Sequence, residues 1–235
     1  MRIGEGLRAG VMMVAPIAAL LLLPAGLLPG GTWLWGRALS FLGVYGAICV
    51  GSNAALAVMR PAHLRVRQQG VVARKDQKQP LIDAVGAAIM VAYALAWVAF
   101  MPLDVFQLHL LPAPGPVATA IAGVCAVVGA ALTPLAVWQN EFATPNVQDQ
   151  SDRGQRVIDT GIYGVIRHPI YAGNLLLFGG MAVWLGSWTA FAGVAVLLLA
   201  TVGRIIIEEG QLRASLPGYA DYARRVRGRL IPFVL

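Results

Sequence analysis

The 235-residue chain is 58% hydrophobic and only 12% charged, with a mean hydropathy of +0.69, which excludes an ordinary soluble domain. Its formal net charge of +7 suggests nucleic acid at first sight, but the placement of the basic residues, given below, excludes that role.

The apolar residues fall in long blocks, and about 20 of them are needed to span a bilayer core roughly 30 Å thick. Val11–Leu28, Leu39–Met59, Leu81–Met101 and Val117–Trp138 are four such blocks, nearly bare of charge. Arg2 and Arg8 before the first block resemble the start of a signal peptide, but Pro29-Gly30-Gly31-Thr32-Trp33 is a poor cleavage site and three more spans follow. Leu28–Gly31 closes a hairpin between the first two spans, with Trp33 and Trp35 where an outer aromatic belt belongs. Arg60-Pro61 ends the second span and opens a basic loop, 60–80, whose Leu64, Val66, Val71 and Val72 suit it to the membrane surface. Pro102–Pro116, with four prolines, reads as an outer loop. Pro134 is expected to kink the fourth span.

A long polar stretch, Gln139–Ile166, separates these spans from a last apolar part, Ala172–Ile207, interrupted by Gly186-Ser187 between Trp184 and Trp188. That pattern predicts a helical hairpin; a first arm of about 15 residues covers about 22 Å and need not cross fully. The fold class expected is an all-α integral membrane protein: four transmembrane helices, a C-terminal helical hairpin and a cytoplasmic cap segment. Two regions follow, residues 1–138 holding the four spans with the basic loop 60–80, and residues 139–235 holding the chemistry, with the membrane hairpin at 170–207. With the N-terminus inside, 17 of the 18 basic residues fall on inner segments and only Arg37 outside. This positive-inside bias places both termini in the cytoplasm, as in a bacterial inner membrane, and reads the charge as topology and attraction to anionic lipid. Cys49 and Cys125 lie within apolar spans and read as small buried hydrophobes; no Cys/His cluster has metal-ligand spacing, so no metal is expected.

Polar residues concentrate at Gln148–Tyr171 and at Arg204–Arg229, which the hairpin brings together at the inner membrane surface. Pro169 disfavours helix at His168 and suits a first helical position, so the hairpin should start at Pro169 with its free N–H groups toward the cytoplasm, an arrangement that attracts carboxylates or phosphates. An ordinary interfacial helix start has the same local pattern. Arg204 and Glu208 are four apart on one helix face, an i,i+4 ion pair in the plainest reading. Adjacent Glu208 and Glu209 diverge by about 100°, which argues for separate roles. A transporter would show ionisable or broken-helix features at mid-membrane; here polar groups gather at one face instead.

Arg156-Val157-Ile158-Asp159-Thr160-Gly161-Ile162-Tyr163, Arg167-His168-Pro169-Ile170-Tyr171-Ala172-Gly173, Arg204–Leu212, Tyr219-Ala220-Asp221-Tyr222 and Arg229-Leu230-Ile231-Pro232 together resemble the isoprenylcysteine carboxyl methyltransferase family, within a wider group that includes phospholipid N-methyltransferases. The resemblance covers roughly residues 148–233. It implies a cytoplasm-facing S-adenosylmethionine pocket capped by the C-terminal segment, with lipid-side entry for a lipid-like or prenylated methyl acceptor. Carried over by position, Gln155, Arg156, Val157, Ile158, Tyr163, His168, Pro169, Ile170, Tyr171 and Glu208 would hold the cofactor, with Gln148 as a further contact. Arg204 would bind the substrate, and Arg204 and Glu208 are the catalytic pair; Glu209, Tyr219 and Tyr222 would support the cap. Glu208 would meet either the cofactor's ammonium group or its ribose hydroxyls. The nucleophile stays open among carboxylate oxygen, amine nitrogen and thiol sulfur; an amine needs a base, for which only His168 and Glu209 stand near. A non-catalytic membrane subunit keeping the same fold is the competing class.

Overall fold

A bilayer core offers the backbone no hydrogen-bond partners, so an apolar chain crosses it as helix. A computed structural model of the chain describes residues 2–71, 81–143 and 154–232. Its long helices are α1 (Arg2–Leu27), α2 (Gly36–Met59), α4 (Leu81–Leu103), α5 (Pro116–Gln139) and α7 (Trp188–Ser215), with the shorter α3 (Pro61–Val71), α6 (Pro169–Leu185) and α8 (Tyr219–Arg225). Five of them are long and apolar enough to cross a membrane, α4 doing so together with the π-helical turn that extends it. The fold is all-helical and multi-pass. At 17 residues α6 reaches only about 25 Å, short of a roughly 30 Å core.

The helix ends divide into two sets. At one end lie the α1–α2, α4–α5 and α6–α7 turns, joined by Arg37 to the Trp184 carbonyl at 3.4 Å and the Trp184 indole to the Arg37 carbonyl at 2.9 Å. The 102–116 segment is not loop throughout: α4 runs through Pro102 to Leu103 and passes into a π-helical turn, Asp104–Leu108. A proline forfeits its own N–H and crowds the carbonyl four residues earlier, a cost that falls here on the last turn of a helix that is already ending. Asp104, 3% exposed, accepts from the Ser187 hydroxyl at 2.6 Å and from the Leu110 N–H at 3.1 Å. Ser187 in turn caps α7 by accepting from the Ala190 N–H at 2.8 Å, so the hairpin tip is tied to α4.

The tightest helix pair is α5 with α6. A Cβ at Gly129 would stand 2.4 Å from the Leu177 nitrogen, and one at Gly180 2.4 Å from the Ala126 nitrogen. Small residues let membrane helices meet backbone to backbone, and here they set the middle of α6 against the middle of α5. Helix α4 packs on the half of α7 next to the hairpin tip through Tyr93 and Trp97, which donate to the Gly193 and Ala190 carbonyls at 2.7 and 2.8 Å.

Candidate active site

The other set of ends, where α2 passes into α3, α5 ends, α6 begins and α7 runs out into α8, encloses a cavity of about 540 Å³, within the ~300–1,000 Å³ of small-molecule sites. Pro169 is the first residue of α6 and His168 its N-cap, as the sequence led one to expect. The first-turn N–H groups beyond Pro169 have no partner within the helix, and Pro169, Ile170 and Tyr171 all line the cavity. The segment before α6 is held by a 3-10 turn, Gly161–Gly164, pinned where the Gln139 side chain accepts from the Ile162 N–H at 2.8 Å. Gly161 has φ +59 and a Cβ there would fall 2.4 Å from the Gln139 oxygen, so only glycine fits.

Tyr171 joins the two helices of the hairpin. Its hydroxyl donates to Glu208 Oε2 at 2.8 Å and accepts from Arg204 Nε at 2.9 Å. The i,i+4 relation of Arg204 and Glu208 is therefore routed through a tyrosine on α6, which spreads their heads along the cavity wall.

Beneath them Glu209, 3% exposed, faces the other way, as the roughly 100° step between adjacent helical residues requires. Its Oε1 accepts from Arg167 Nε at 2.8 Å and lies 3.1 Å from His168 Nε2; its Oε2 lies 3.4 Å from both Arg213 and Arg229. Arg167 also donates to the carbonyls of Val226 and Arg227 at 2.5 and 2.9 Å. The Arg167 and His168 N–H groups donate to the Gly228 and Arg229 carbonyls at 2.9 and 3.0 Å. The C-terminal segment is thereby laced onto the start of α6. Tyr222 donates to the Tyr163 carbonyl at 2.8 Å, and Arg225 pairs with Asp159 at 2.5 Å, closing the cap over the 155–163 segment.

Of the residues singled out in the sequence, Gln155, Arg156, Val157, Ile158, Tyr163, His168, Pro169, Ile170, Tyr171, Arg204 and Glu208 all line this one cavity. Gln148 lies outside the described residues.

Residues 117–216 match the phospholipid methyltransferase family. That stretch, under half of the chain, is similar to a phospholipid methyltransferase domain. The whole chain also shares the fold of a eukaryotic intramembrane Ras methyltransferase, isoprenylcysteine carboxyl methyltransferase, at 18% identity and a TM-score of 0.55, over 96% of this chain and 75% of that one. No curated protein matches the chain.

The cavity draws in residues that the sequence reading had not assigned to the site. Arg67 reaches the cavity from α3, and its NH1 donates to the Ala143 carbonyl at 3.1 Å. Burial pushes its guanidinium below its ordinary pKa, while nearby Tyr163 acts in the opposite direction. Burial likewise pushes the Tyr163 hydroxyl up to about 12, against a hydrogen bond with the Asn140 side chain that lowers it. Thr133, Asn140, Asn174 and Thr201 line the wall as well. The 60–80 loop offered one signal for Arg67, a guanidinium among apolar residues in a surface-lying segment; Thr133 and Asn174 were visible only as rare polar residues inside apolar spans.

From this polar end the cavity continues between the helices, where Met13 of α1, Met90, Val91 and Ala94 of α4, Leu175 and Phe178 of α6 and Leu197 of α7 line it. Val91 lines the cavity and is also 58% exposed, so the apolar arm reaches the surface of the helix bundle at α4.

Proposed function

We propose that the chain is an S-adenosylmethionine-dependent methyltransferase that methylates a membrane-embedded or lipid-like acceptor, preferentially at a carboxylate, with the reaction at the cytoplasmic face and both termini in the cytoplasm. In this reading residues 139–235 form the cofactor-binding and catalytic region and residues 1–138 the membrane scaffold. The observation that carries it is the form of the cavity, a polar end built from the start of α6 and the inner end of α7 that runs without a break into an apolar arm.

The polar end suits S-adenosylmethionine in kind. The start of α6 is a site for its carboxylate, Glu208 for its ammonium group or ribose hydroxyls, and Val157, Ile158, Leu212 and Leu216 for its adenine. Bound there, the cofactor supplies an electrophilic methyl on a sulfonium. The chain's own residues supply position and dryness. Tyr171 holds the heads of Arg204 and Glu208 at a fixed separation, and the cap residues Tyr219 and Tyr222 wall the site from water. Arg204 aligns the acceptor's carboxylate, for which the planar guanidinium fork is well suited.

Two observations favour a carboxylate over an amine. With Arg167 paired to Glu209 and Arg156 to Glu141, the guanidiniums of Arg67 and Arg204 stand against the carboxylate of Glu208, an excess of positive charge that attracts an anion. His168 and Glu209, the two groups near enough to deprotonate an amine, are engaged with each other and with Arg167. A carboxylate needs no base: one of its oxygens gains the methyl as the sulfur–methyl bond breaks, and the sulfonium charge is neutralised with no proton moved.

Calorimetric titration of S-adenosylmethionine into purified protein, in detergent with added lipid, tests the reading. Binding that Glu208→Ala abolishes, followed by transfer of labelled methyl to carboxylate amphiphiles, is the expected result. A well-folded wild type that binds no S-adenosylmethionine would move the fold to the non-catalytic class.

A further inference from the structure

On the cavity wall, Asn174 has a side chain whose hydrogen-bonding capacity is only half used. Asn174 lies three residues after Tyr171 on α6, on the same face and about 4.5 Å further into the bundle along the helix axis. Its Oδ1 accepts from the Thr133 hydroxyl of α5 at 3.1 Å, and both residues line the cavity. Among the described residues no partner takes its amide nitrogen. An amide with two spare N–H donors is costly at membrane depth unless something in the cavity receives them. Polar groups at such depth face bundle interiors or cavities and mark the path of a polar ligand.

Its neighbours define what that ligand looks like. On the cytoplasmic side stand Tyr171 and Arg204; on the hydrocarbon side stand Phe178, one turn on along α6, with Leu197 and Val91. Read along the cavity, the order is guanidinium, carboxamide, apolar arm. Resting on the acceptor assignment made above, we propose that Asn174 is a specificity-determining residue. Its amide receives a neutral carbonyl, of an amide or ester, that the acceptor carries about 4–5 Å inward of the anionic group at Arg204, ahead of the apolar chain. The acceptor class is then an acylated amphiphile with two polar groups in series rather than a simple long-chain acid. Thr133 is the positioning residue, because its hydroxyl holds one end of the carboxamide and turns the other toward the cavity.

Asn174 as mere glue between α5 and α6 would give a different result in the same experiment. N-palmitoylglycine places an amide carbonyl between its carboxylate and its chain; the plain fatty acid of equal chain length does not. Binding of each is measured by thermal stabilisation and by displacement in detergent, beside transfer of labelled methyl from S-adenosylmethionine. Wild type should bind N-palmitoylglycine about 3–20-fold more tightly, the worth of one polar contact inside a membrane protein. Asn174→Leu should erase that preference while holding the plain acid within about threefold of wild type. Equal binding of the two by wild type, or a preference that survives in Asn174→Leu, overturns the proposal. If Asn174→Leu does not fold, Thr133→Val decides: a preference reduced at least about threefold supports the proposal, and an unchanged one sinks it. Preference without S-adenosylmethionine binding would leave this site standing and remove the methyltransferase reading, so the two failures are distinct.

Discussion

Arg167 and Glu209, 42 positions apart in the chain, meet at 2.8 Å with side chains 5% and 4% exposed. Few charges are so thoroughly removed from water, and the pair survives because each ion is saturated. Arg167 spends its other donors on cap carbonyls, and Glu209 is ringed by His168, Arg213 and Arg229. Removing one partner strands the other: Glu209→Ala should cost about 3–5 kcal/mol of stability. Glu209→Gln keeps the shape and should cost less, while loosening the cap and weakening S-adenosylmethionine binding. Differential scanning fluorimetry beside calorimetry separates the two effects. A Glu209→Gln protein with wild-type affinity and an unchanged melting point would deny the pair its role in the cap.

Tyr171→Phe removes a single hydroxyl that both fills a Glu208 acceptor site and occupies Arg204 Nε. A hydrogen bond to a charged group is worth about 1.5–3 kcal/mol. The variant should therefore bind S-adenosylmethionine roughly 10-fold more weakly, keep its fold, and lose turnover further because Arg204 loses its contact with the α6 wall. Calorimetry and single-turnover methyl transfer measure both. Equal kinetics in wild type and Tyr171→Phe would show that the hydroxyl bridge has no part in the site.

Tyr163, Tyr219 and Tyr222 all have hydroxyls pushed above their ordinary range, burial being the largest cause in each, Tyr163 to about 12. A folded-state value above the unfolded value of about 10 means the native chain holds its proton more tightly. The stability from these groups is fully present below about pH 10 and is lost as pH rises toward 12. Melting temperature should thus be insensitive to these tyrosines from neutrality to about pH 9 and fall steeply above 10. Tyrosinate absorbance followed in parallel should rise late and together with unfolding. Early titration of all six tyrosines in folded protein would contradict the buried cap.

The membrane spans were legible because burial in lipid demands long apolar blocks; the second to fourth blocks give helices close to their own limits, whereas α1 starts at Arg2, well before Val11. The start of α6 was legible because a proline can begin a helix but not sit inside it freely. Where the chain departed from expectation, the cause was tertiary. Pro102 reads as a breaker, yet in the last turn of α4 the helix tolerates it and continues into a π turn. Arg167 looked like one more inner-face cation, and nothing local to it foretells a carboxylate from α7 and four carbonyls of the cap and the residues just beyond it. That last carbonyl, of Gly228, is taken by its backbone N–H. Arg67 and Asn140 belong to segments that meet the site only after the helices pack. Thr133 and Asn174 become a pair only because α5 and α6 approach at backbone distance.

That approach is itself testable, since the position of α6 sets where Tyr171 and Asn174 point. A methyl at Gly180 would lie 2.4 Å from the Ala126 nitrogen and 2.5 Å from the Ala122 carbonyl oxygen. Backbone cannot yield as a flexible side chain can, so the helices must part. Gly180→Ala should lose about 1–3 kcal/mol, as overpacked interiors do, and should lower methyl transfer by shifting the α6 wall of the cavity. Gly51 on α2 has nothing within 4 Å of its Cβ direction. Gly51→Ala should therefore be neutral or stabilising by up to about 1 kcal/mol, the helix preference of alanine over glycine. Melting temperatures of the two variants, measured side by side in one detergent, check the contrast. Equal melting of both would mean that α5 and α6 do not touch backbone to backbone, and that Asn174 is not held against Thr133.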